Sequence, residues 1–356
     1  MQAAIDDVDI EAELTSQIIS VAATGGEIEI IGGGSKRFYG ESLEALPVDV
    51  SGHSGIIDYD PAELVITLRA GCKLSEVEAL LAEHRQMFGF EPPCYGRDAT
   101  IGGMVASGLA GPRRAFAGGI RDFVLGVKIL DGHGEINQFG GRVIKNVAGF
   151  DVSRLMVGSL GTLGVILEVS IRVIPNYETE LTLAFEHDSA DQHIRWINEL
   201  GSEPWPISAS SWLAGRSLLR LSGSVQGVQH AAQQLGGESA ESCWDELKEQ
   251  ALDFFDEAKP LTRISLPPAS PDQLGDIPQL VEWGGAQRWA CGEVDVPALR
   301  PAMESIGGSV CAFRRHGSDV AVFHPLPPAM LKLQRSIKSS FDPAGIFNPG
   351  RIYPGL

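Results

Sequence analysis

Apolar residues recur at helical spacing at Ile10, Leu14, Ile18, Ile19 and Ala22, which predicts a first helix over 10–23, ended by Gly25-Gly26. The period then changes. EIEII (27–31) alternates and runs into Gly32-Gly33-Gly34, the pattern of a strand that stops in a glycine turn. Two short strands follow at 56–59 and 64–68, separated by Asp60-Pro61, which disfavours helix. Over 71–81 a turn leads into a helix with Leu74, Val77, Leu80 and Leu81 on one face and Ser75 as the expected N-cap. Residues 92–119 are dense in Gly, Pro, Ala and Ser. Strands resume at 122–130 and 135–139, joined through the hairpin Asp131-Gly132-His133-Gly134, and at 165–174, where Pro175 closes the run. The first half therefore reads as α+β and not as regularly alternating βαβ units.

The pattern shifts after Pro175. A strand at 182–185, a helix at 191–200, a strand pair at 207–212 and 217–221, and helices at 225–235 and 243–255 are expected. A similar order recurs from Leu261, with a helix near 297–306 and a strand pair at 310–314 and 319–323. That order suits a βαβ sandwich of ferredoxin-like type. The proline-rich stretch 267–278 reads as a loop. From Pro328 a last helix begins, with Leu331, Ile337 and Phe341 among its apolar positions. It gives way to DPAGIFNPGRIYPGL, where three prolines forbid its continuation.

Length and composition narrow the picture. At roughly 150 residues per domain, 356 residues suggest about two domains, and 44% hydrophobic with 21% charged residues is an ordinary globular balance. The 42 glycines and 21 prolines belong to no repeat, so they mark particular backbone positions: left-handed φ, or close approach to a ligand. A net charge of −18 repels phosphate polyanions and argues against nucleic acid; it suits solubility or a basic partner. The five cysteines, Cys72, Cys94, Cys243, Cys291 and Cys311, are scattered without a C-x-x-C pair. This argues against an iron–sulfur cluster or zinc ribbon in this chain and suits a reducing cytosol. The acidic start MQAAIDDVDIEAELTSQ shows no secretory pattern, and no run approaches the ~20 apolar residues of a spanning helix. The expectation is a cytoplasmic protein, peripheral at a membrane at most.

Three segments carry candidate chemistry. The first is I-G-G-G-S-K (31–36), directly after a strand. A pyrophosphate needs several backbone N–H groups converging without side chains in the way; consecutive glycines permit that, and Ser35 adds a hydroxyl. A tight turn between strands would use the same residues, and the spacing is not the G-x-G-x-x-G of a Rossmann fold. The second is DATIGGMVASGLAGPRR (98–114) followed by AGGIRDFVLGV (117–127). Here Ala106, Ser107 and Gly108 would let a flat ring lie against backbone. Arg113, Arg114 and Arg121 offer charge for a phosphate or a carboxylate. The third is GGRVIKNVAGFDVSRLMVGSLGTLGVI (140–166), a short helix over 151–156 and then a glycine-punctuated loop opening onto Val165-Ile166, whose backbone suits an adenine edge. An ordinary buried strand with a loop before it is the other reading.

Together with the terminal FDPAGIFNPGRIYP, these segments resemble the FAD-binding domain of the vanillyl-alcohol oxidase / p-cresol methylhydroxylase family. Within it they are most similar to the FAD-binding E-type subunits of bacterial glycolate oxidase (glycolate dehydrogenase) complexes. The resemblance covers essentially the whole chain and is most specific over 30–175 and 338–353. It implies an α+β fold: a two-subdomain FAD-binding domain over 1–175, a short ferredoxin-like α+β cap over 176–327, and a segment 328–356 returning to the FAD domain. It implies pyrophosphate on Ile31, Gly32, Gly33, Gly34, Ser35 and Lys36. Isoalloxazine and ribityl would lie along Pro93, Thr100, Ile101, Gly102, Gly103, Ala106, Ser107 and Gly108, and adenine near Gly161, Gly164, Val165 and Ile166. Asn348 would stand on the flavin side, and Gly111, Arg114, Gly119 and Arg121 complete the expected cofactor set.

Two departures from the family shape the expected function. No His or Cys lies within 32–40, so FAD is expected to be held noncovalently. The H-G-H-x-G-D-G-N-type segment of catalytic 2-hydroxy-acid dehydrogenases is absent. The eight histidines, His53, His84, His133, His187, His193, His230, His316 and His324, form no H-x-H, and His316-Gly317 is the nearest fragment. No catalytic residue and no metal ligand is assigned. The resemblance thus implies a flavin-carrying subunit in the oxidation of glycolate to glyoxylate. It would work beside a larger catalytic FAD subunit and an iron–sulfur subunit, with any membrane contact made through partners. Two alternatives stand. One is a self-sufficient FAD-dependent 2-hydroxy-acid (D-lactate-like) dehydrogenase in which Arg114, Arg121 or Arg315 clamps the carboxylate. The other is a structural subunit that keeps the fold without activity.

Overall fold

The computed structural model describes residues 5–141 and 151–356, so the part of the third motif at 142–150 lies outside the described residues. The chain divides into two compact units: Met1–Leu109 with Gly119–Asn176 and Pro325–Leu356, and Ala110–Gly118 with Tyr177–His324.

In the first unit the helix Glu11–Thr24 presents Leu14 and Ile18, one turn apart, to a core of Ile28, Val48, Val50, Leu130, Val165, Leu167, Ile346 and Phe347. Glu11 and Glu13 lie in its first turn, where the helix dipole favours negative charge. Strand Ile28–Ile31 pairs in parallel with Leu46–Asp49, and Phe347 from the C-terminal segment bridges to Ile28 in parallel. A five-stranded antiparallel sheet runs in the order Ile56–Asp60, Val65–Arg69, Val165–Arg172, Val124–Leu130, Ile136–Gly140. The helix Leu74–Glu83 buries Leu74, Val77 and Leu81 as its spacing predicts, but its N-cap is Lys73, without a side-chain cap bond; Ser75 falls inside the first turn.

The glycine-rich stretch after residue 98 is not all loop. It contains a helix, Ile101–Ser107, started by Thr100, whose hydroxyl accepts from the Gly103 N–H at 3.2 Å. Likewise the expected strand at 122–130 begins with a helical turn, Ile120–Phe123, and becomes strand only at Val124. The short helix expected over 151–156 is a 3-10 turn, Ser153–Leu155.

The second unit is built on one eight-stranded antiparallel sheet. Its order is Glu238–Ala240, Thr179–Glu186, Arg216–Gly223, Ile207–Leu213, Gln279–Glu282, Gln287–Cys291, Leu261–Ser265, Ser309–Arg314. The two recurring halves of the sequence pattern join where Ile207–Leu213 pairs with Gln279–Glu282. Helices Ala190–Leu200, Val225–Leu235 and Val296–Glu304 are capped by Ser189, Ser224 and Asp295 through side-chain bonds to backbone N–H.

Three local readings change in this unit. Only Trp244–Lys248 of the expected helix 243–255 is helical. Residues 319–323 form no strand, although Val322 O accepts from Ala312 N at 2.8 Å. Strands Gln279–Glu282 and Gln287–Cys291 escaped the pattern because their buried faces include polar residues. Glu282 Oε1 accepts inside the sheet from Gln287 Nε2 at 2.5 Å and Trp289 Nε1 at 2.6 Å, so alternation of polarity does not mark them.

The segment Ala110–Gly118, inside the limits expected for the first domain, packs with this second unit. Its anchor is Arg113, 2% exposed, whose guanidinium donates to Ser222 Oγ at 3.1 Å and Glu180 Oε1 at 2.5 Å.

Candidate functional site

A groove opens within the first unit. Its floor begins where strand Ile28–Ile31 runs out into Gly32–Gly34. The backbone N–H groups of Gly33, Gly34 and Ser35 donate to no group among the described residues. Successive N–H groups left open in this way can form an anion cradle. Gly33 is required by packing: a Cβ there would sit 1.3 Å from the carbonyl oxygen of Asp98. That contact places the loop directly against the start of the helix Ile101–Ser107. Gly102, Gly103, Ala106 and Ser107 line the groove from one face of this helix. Gly102 N is tied to Ala70 O at 2.7 Å, which seats the helix against the five-stranded sheet.

The opposite wall is Leu160, Gly161, Gly164 and Ile166. Gly161 has φ +75°, and a Cβ there would lie 2.6 Å from Asn348 Nδ2. Asn348 joins the walls. Its Oδ1 accepts from Ile30 N at 2.7 Å and its Nδ2 donates to Leu160 O at 2.6 Å. Three residues on, the buried Arg351 donates to the carbonyls of Glu41 at 2.5 Å, Arg37 at 2.7 Å and Tyr39 at 3.1 Å, closing the far end of the glycine loop. At the rim, Glu29 is held bidentately by Arg37 at 3.0 and 2.6 Å, and Lys36 Nζ donates to Cys94 O at 3.0 Å. Below this end Lys338 is buried, and desolvation pulls its ammonium below the usual lysine range, with Asp342 opposing that pull.

The structure brings together most of the residues expected from sequence. Ile31, Gly32, Gly33, Gly34, Ser35, Lys36, Thr100, Gly102, Gly103, Ala106, Ser107, Gly161, Gly164, Ile166 and Asn348 all line the groove. The others stand elsewhere, each for a physical reason. Ile101 and Val165 are buried in the core because helix and strand periodicity turn them away from Gly102 and Ile166. Pro93 is buried without lining the groove. Gly108 is the left-handed cap that ends the helix, φ 66°. Gly119 caps the next helical turn, its N–H bonded to Asp122 Oδ2 at 2.9 Å, and Arg121 is exposed. Gly111 and Arg114 belong to the second unit: Gly111 O accepts from Trp283 Nε1 at 3.0 Å, and the Arg114 guanidinium lies 4.6 Å from the Trp283 ring centroid. Arg315, offered as a carboxylate clamp, donates to Val320 O at 3.3 Å within the same unit.

Glu29, Ile30, Arg37, Val50, Leu160 and Arg351 line the groove without having been anticipated. Arg351 carried a visible signal in the N-P-G-R run beside Asn348, and Glu29 one in the strand entering the glycine turn. Among the described residues, no histidine or cysteine lines the groove. Among the histidines, His53 and His193 are buried, and His316 is exposed on a turn of the second unit. The groove can therefore bind a phosphorylated, flat ligand through backbone donors, and the one carboxylate among its described lining residues, Glu29, is taken up by Arg37. The open N–H groups at one end and the apolar helix face beside them suit a ligand with a phosphate and a flat ring.

Fold and site define a flavin-dinucleotide-binding protein. In agreement, residues 9–140 match the family of the FAD binding domain. Alkyldihydroxyacetonephosphate synthase has a similar fold, with a TM-score of 0.66 over 95% of this chain and 75% of that one, at 15% identity. Glycolate oxidase subunit GlcE of Escherichia coli is 41% identical over 353 residues, 98% of this chain and 99% of that protein. Glycolate oxidase subunit GlcD of Bacillus subtilis is 32% identical over 146 residues, 41% of this chain and 31% of that protein. The chain belongs to the family of glycolate oxidase subunit GlcE, FAD-dependent oxidoreductases.

Proposed function

We propose that this chain is the FAD-carrying subunit of a glycolate oxidase (glycolate dehydrogenase) complex. It takes part in the oxidation of glycolate to glyoxylate, with electrons leaving to partner subunits. The observation that carries the reading is the likeness to GlcE along the whole length of both chains, on a groove whose donors suit FAD. Bound FAD supplies two-electron acceptance from a 2-hydroxy acid and stepwise transfer onward.

The chain's own residues bind and orient. Gly33, Gly34 and Ser35 turn N–H groups to the pyrophosphate. Gly102, Gly103, Ala106 and Ser107 offer a side-chain-poor helix face to the ring system, and Gly161, Gly164 and Ile166 a wall to the adenine. In this reading FAD is held noncovalently; the described residues lining the groove include no histidine or cysteine. The one carboxylate among the described lining residues, Glu29, is engaged by Arg37; in this reading substrate oxidation belongs to a larger GlcD-like FAD subunit, with an iron–sulfur subunit as the next carrier. The chain is cytoplasmic in this reading, and any membrane contact is made through partners. Among the described residues, no helix is long and apolar enough to cross a membrane.

The test is the visible spectrum of the purified chain before and after glycolate. A flavin spectrum released in full on denaturation, unchanged by glycolate until the partner subunits are added, is expected. Rapid bleaching by glycolate or D-lactate without partners would establish a self-sufficient dehydrogenase instead, and a colourless chain that takes up no FAD would leave a structural role.

A further inference from the structure

Residue Lys338 lies outside the groove on the terminal helix Pro328–Phe341 and is the only buried residue of that helix. All three of its ammonium protons have acceptors: Thr162 O at 2.7 Å, Phe347 O at 2.6 Å and Asp342 Oδ2 at 2.7 Å. Asp342 is fully buried and is filled in turn by Ile346 N at 3.0 Å and Phe347 N at 2.8 Å. One charge pair thus clamps two chain segments that are otherwise remote in sequence. Thr162 follows Gly161 in the adenine wall, and Phe347 precedes Asn348, the residue that spans to Ile30 at the root of the glycine loop. Buried ion pairs add little to stability by themselves, because desolvation offsets attraction. A pair that also captures two carbonyls and two N–H groups has a geometric consequence instead: it fixes how far apart those segments stand.

We propose that Lys338, with Asp342, is a positioning residue for FAD: from outside the groove it sets the separation between the Gly161 wall and the Asn348 bridge. The inference rests on the FAD reading above. It is tested on flavin-stripped full-length protein by titrating FAD itself and by recording separately the thermal stability of the flavin-free form. Lys338→Met removes the ammonium and keeps most of the volume. It weakens FAD affinity tenfold or more, and Asn348→Ala does the same. Because Lys338 acts through the segment carrying Asn348, the double variant is less than threefold weaker than Asn348→Ala alone. Wild-type FAD affinity in Lys338→Met, or losses that multiply in the double variant, overturns the proposal.

A second measurement needs no variant. On addition of FAD to the wild type, amide exchange slows at Ile30, Phe347 and Asn348, whose N–H groups close this network; unchanged exchange there, with FAD bound, overturns it as well. Wild-type protein that takes up no FAD at all defeats the cofactor reading and this inference with it, whereas normal wild-type binding with an unaffected Lys338→Met defeats this inference alone.

Discussion

Replacing Gly33 by alanine tests the cradle at its tightest point. The added Cβ would lie 1.3 Å from Asp98 O and 2.2 Å from the Asp98 carbonyl carbon, both backbone atoms. A real Cβ keeps at least 3.0 Å from such atoms, so the loop or the Asp98 peptide must retreat by about 2 Å. That displacement exceeds the tolerance of a hydrogen bond, whose donor–acceptor distance spans only about 0.5 Å. At least two N–H donors then miss the pyrophosphate. Hydrogen bonds to charged groups are worth about 1.5–3 kcal/mol each, so the loss is about 3–6 kcal/mol, or roughly 10²–10⁴-fold in Kd. The neighbour Gly34 is the control. A Cβ there meets only Arg37 Cδ at 3.8 Å, and its φ of +70° costs an alanine about 1–2 kcal/mol of stability without filling the cradle. FAD titration of both variants, with far-UV circular dichroism to confirm folding, gives the readout. A folded Gly33→Ala protein with wild-type affinity would refute the reasoning, as would Gly34→Ala losing as much as Gly33→Ala.

Further expectations concern the second unit. Burial depresses the His193 pKa from 6.5 to about 3, so folding favours the neutral ring; the stability this allows is complete above pH 6.5 and is lost as pH falls toward 3. At about 1.36 kcal/mol per unit, the wild type loses about 3 kcal/mol by pH 4 from this group. His193→Gln does not titrate there and shows a shallower decline in urea unfolding between pH 7 and 4; parallel declines would sink the assignment. Arg113→Met leaves Ser222 and Glu180 without their guanidinium partner and lowers stability by about 2 kcal/mol, read as a shift in the denaturant midpoint of the second unit. A shift below about 0.5 kcal/mol would show that the pair contributes little. In the first unit Ile28→Ala empties a fully buried position between the helix Glu11–Thr24 and Phe347 and costs about 2–5 kcal/mol by thermal or chemical unfolding; tolerance of the change would contradict the packing described.

Much of the site is legible because its chemistry is written as backbone. A run such as Gly32-Gly33-Gly34 directly after an alternating strand has few physical explanations, and Gly161 and Gly164 punctuate the approach to another strand in the same way. Local periodicity also separates Leu14 and Ile18, which face the core, from their polar neighbours. The helix Ile101–Ser107 is less legible, since two glycines and small side chains lower intrinsic helix propensity. It forms because Thr100 caps it and because Gly102 packs on Ala70, a contact 32 residues away in sequence. The strands Gln279–Glu282 and Gln287–Cys291 are hidden for a related reason: their buried faces carry polar side chains, such as Glu282, whose Oε1 finds Gln287 and Trp289 only in the assembled sheet.

The roles of the arginines show the division most clearly. From the sequence alone, Arg113, Arg114 and Arg121 are equivalent cations beside a glycine-rich motif. The tertiary structure buries Arg113 against Glu180, stacks Arg114 near Trp283 and leaves Arg121 in solvent, while Arg351, far along the chain, comes to hold the glycine loop. That the ligand is a dinucleotide is what the resemblance to FAD-binding domains implies; the local pattern itself marks many of the strands and helices and the glycine positions where backbone can approach a ligand. Those properties depend on φ preference, side-chain size and period, which act within a few residues. Which charged side chains serve the groove, and how Lys338 and Asn348 brace it, only the tertiary structure decided, because a guanidinium or ammonium takes its role from the acceptors that surround it, and these arrive from segments remote in the chain.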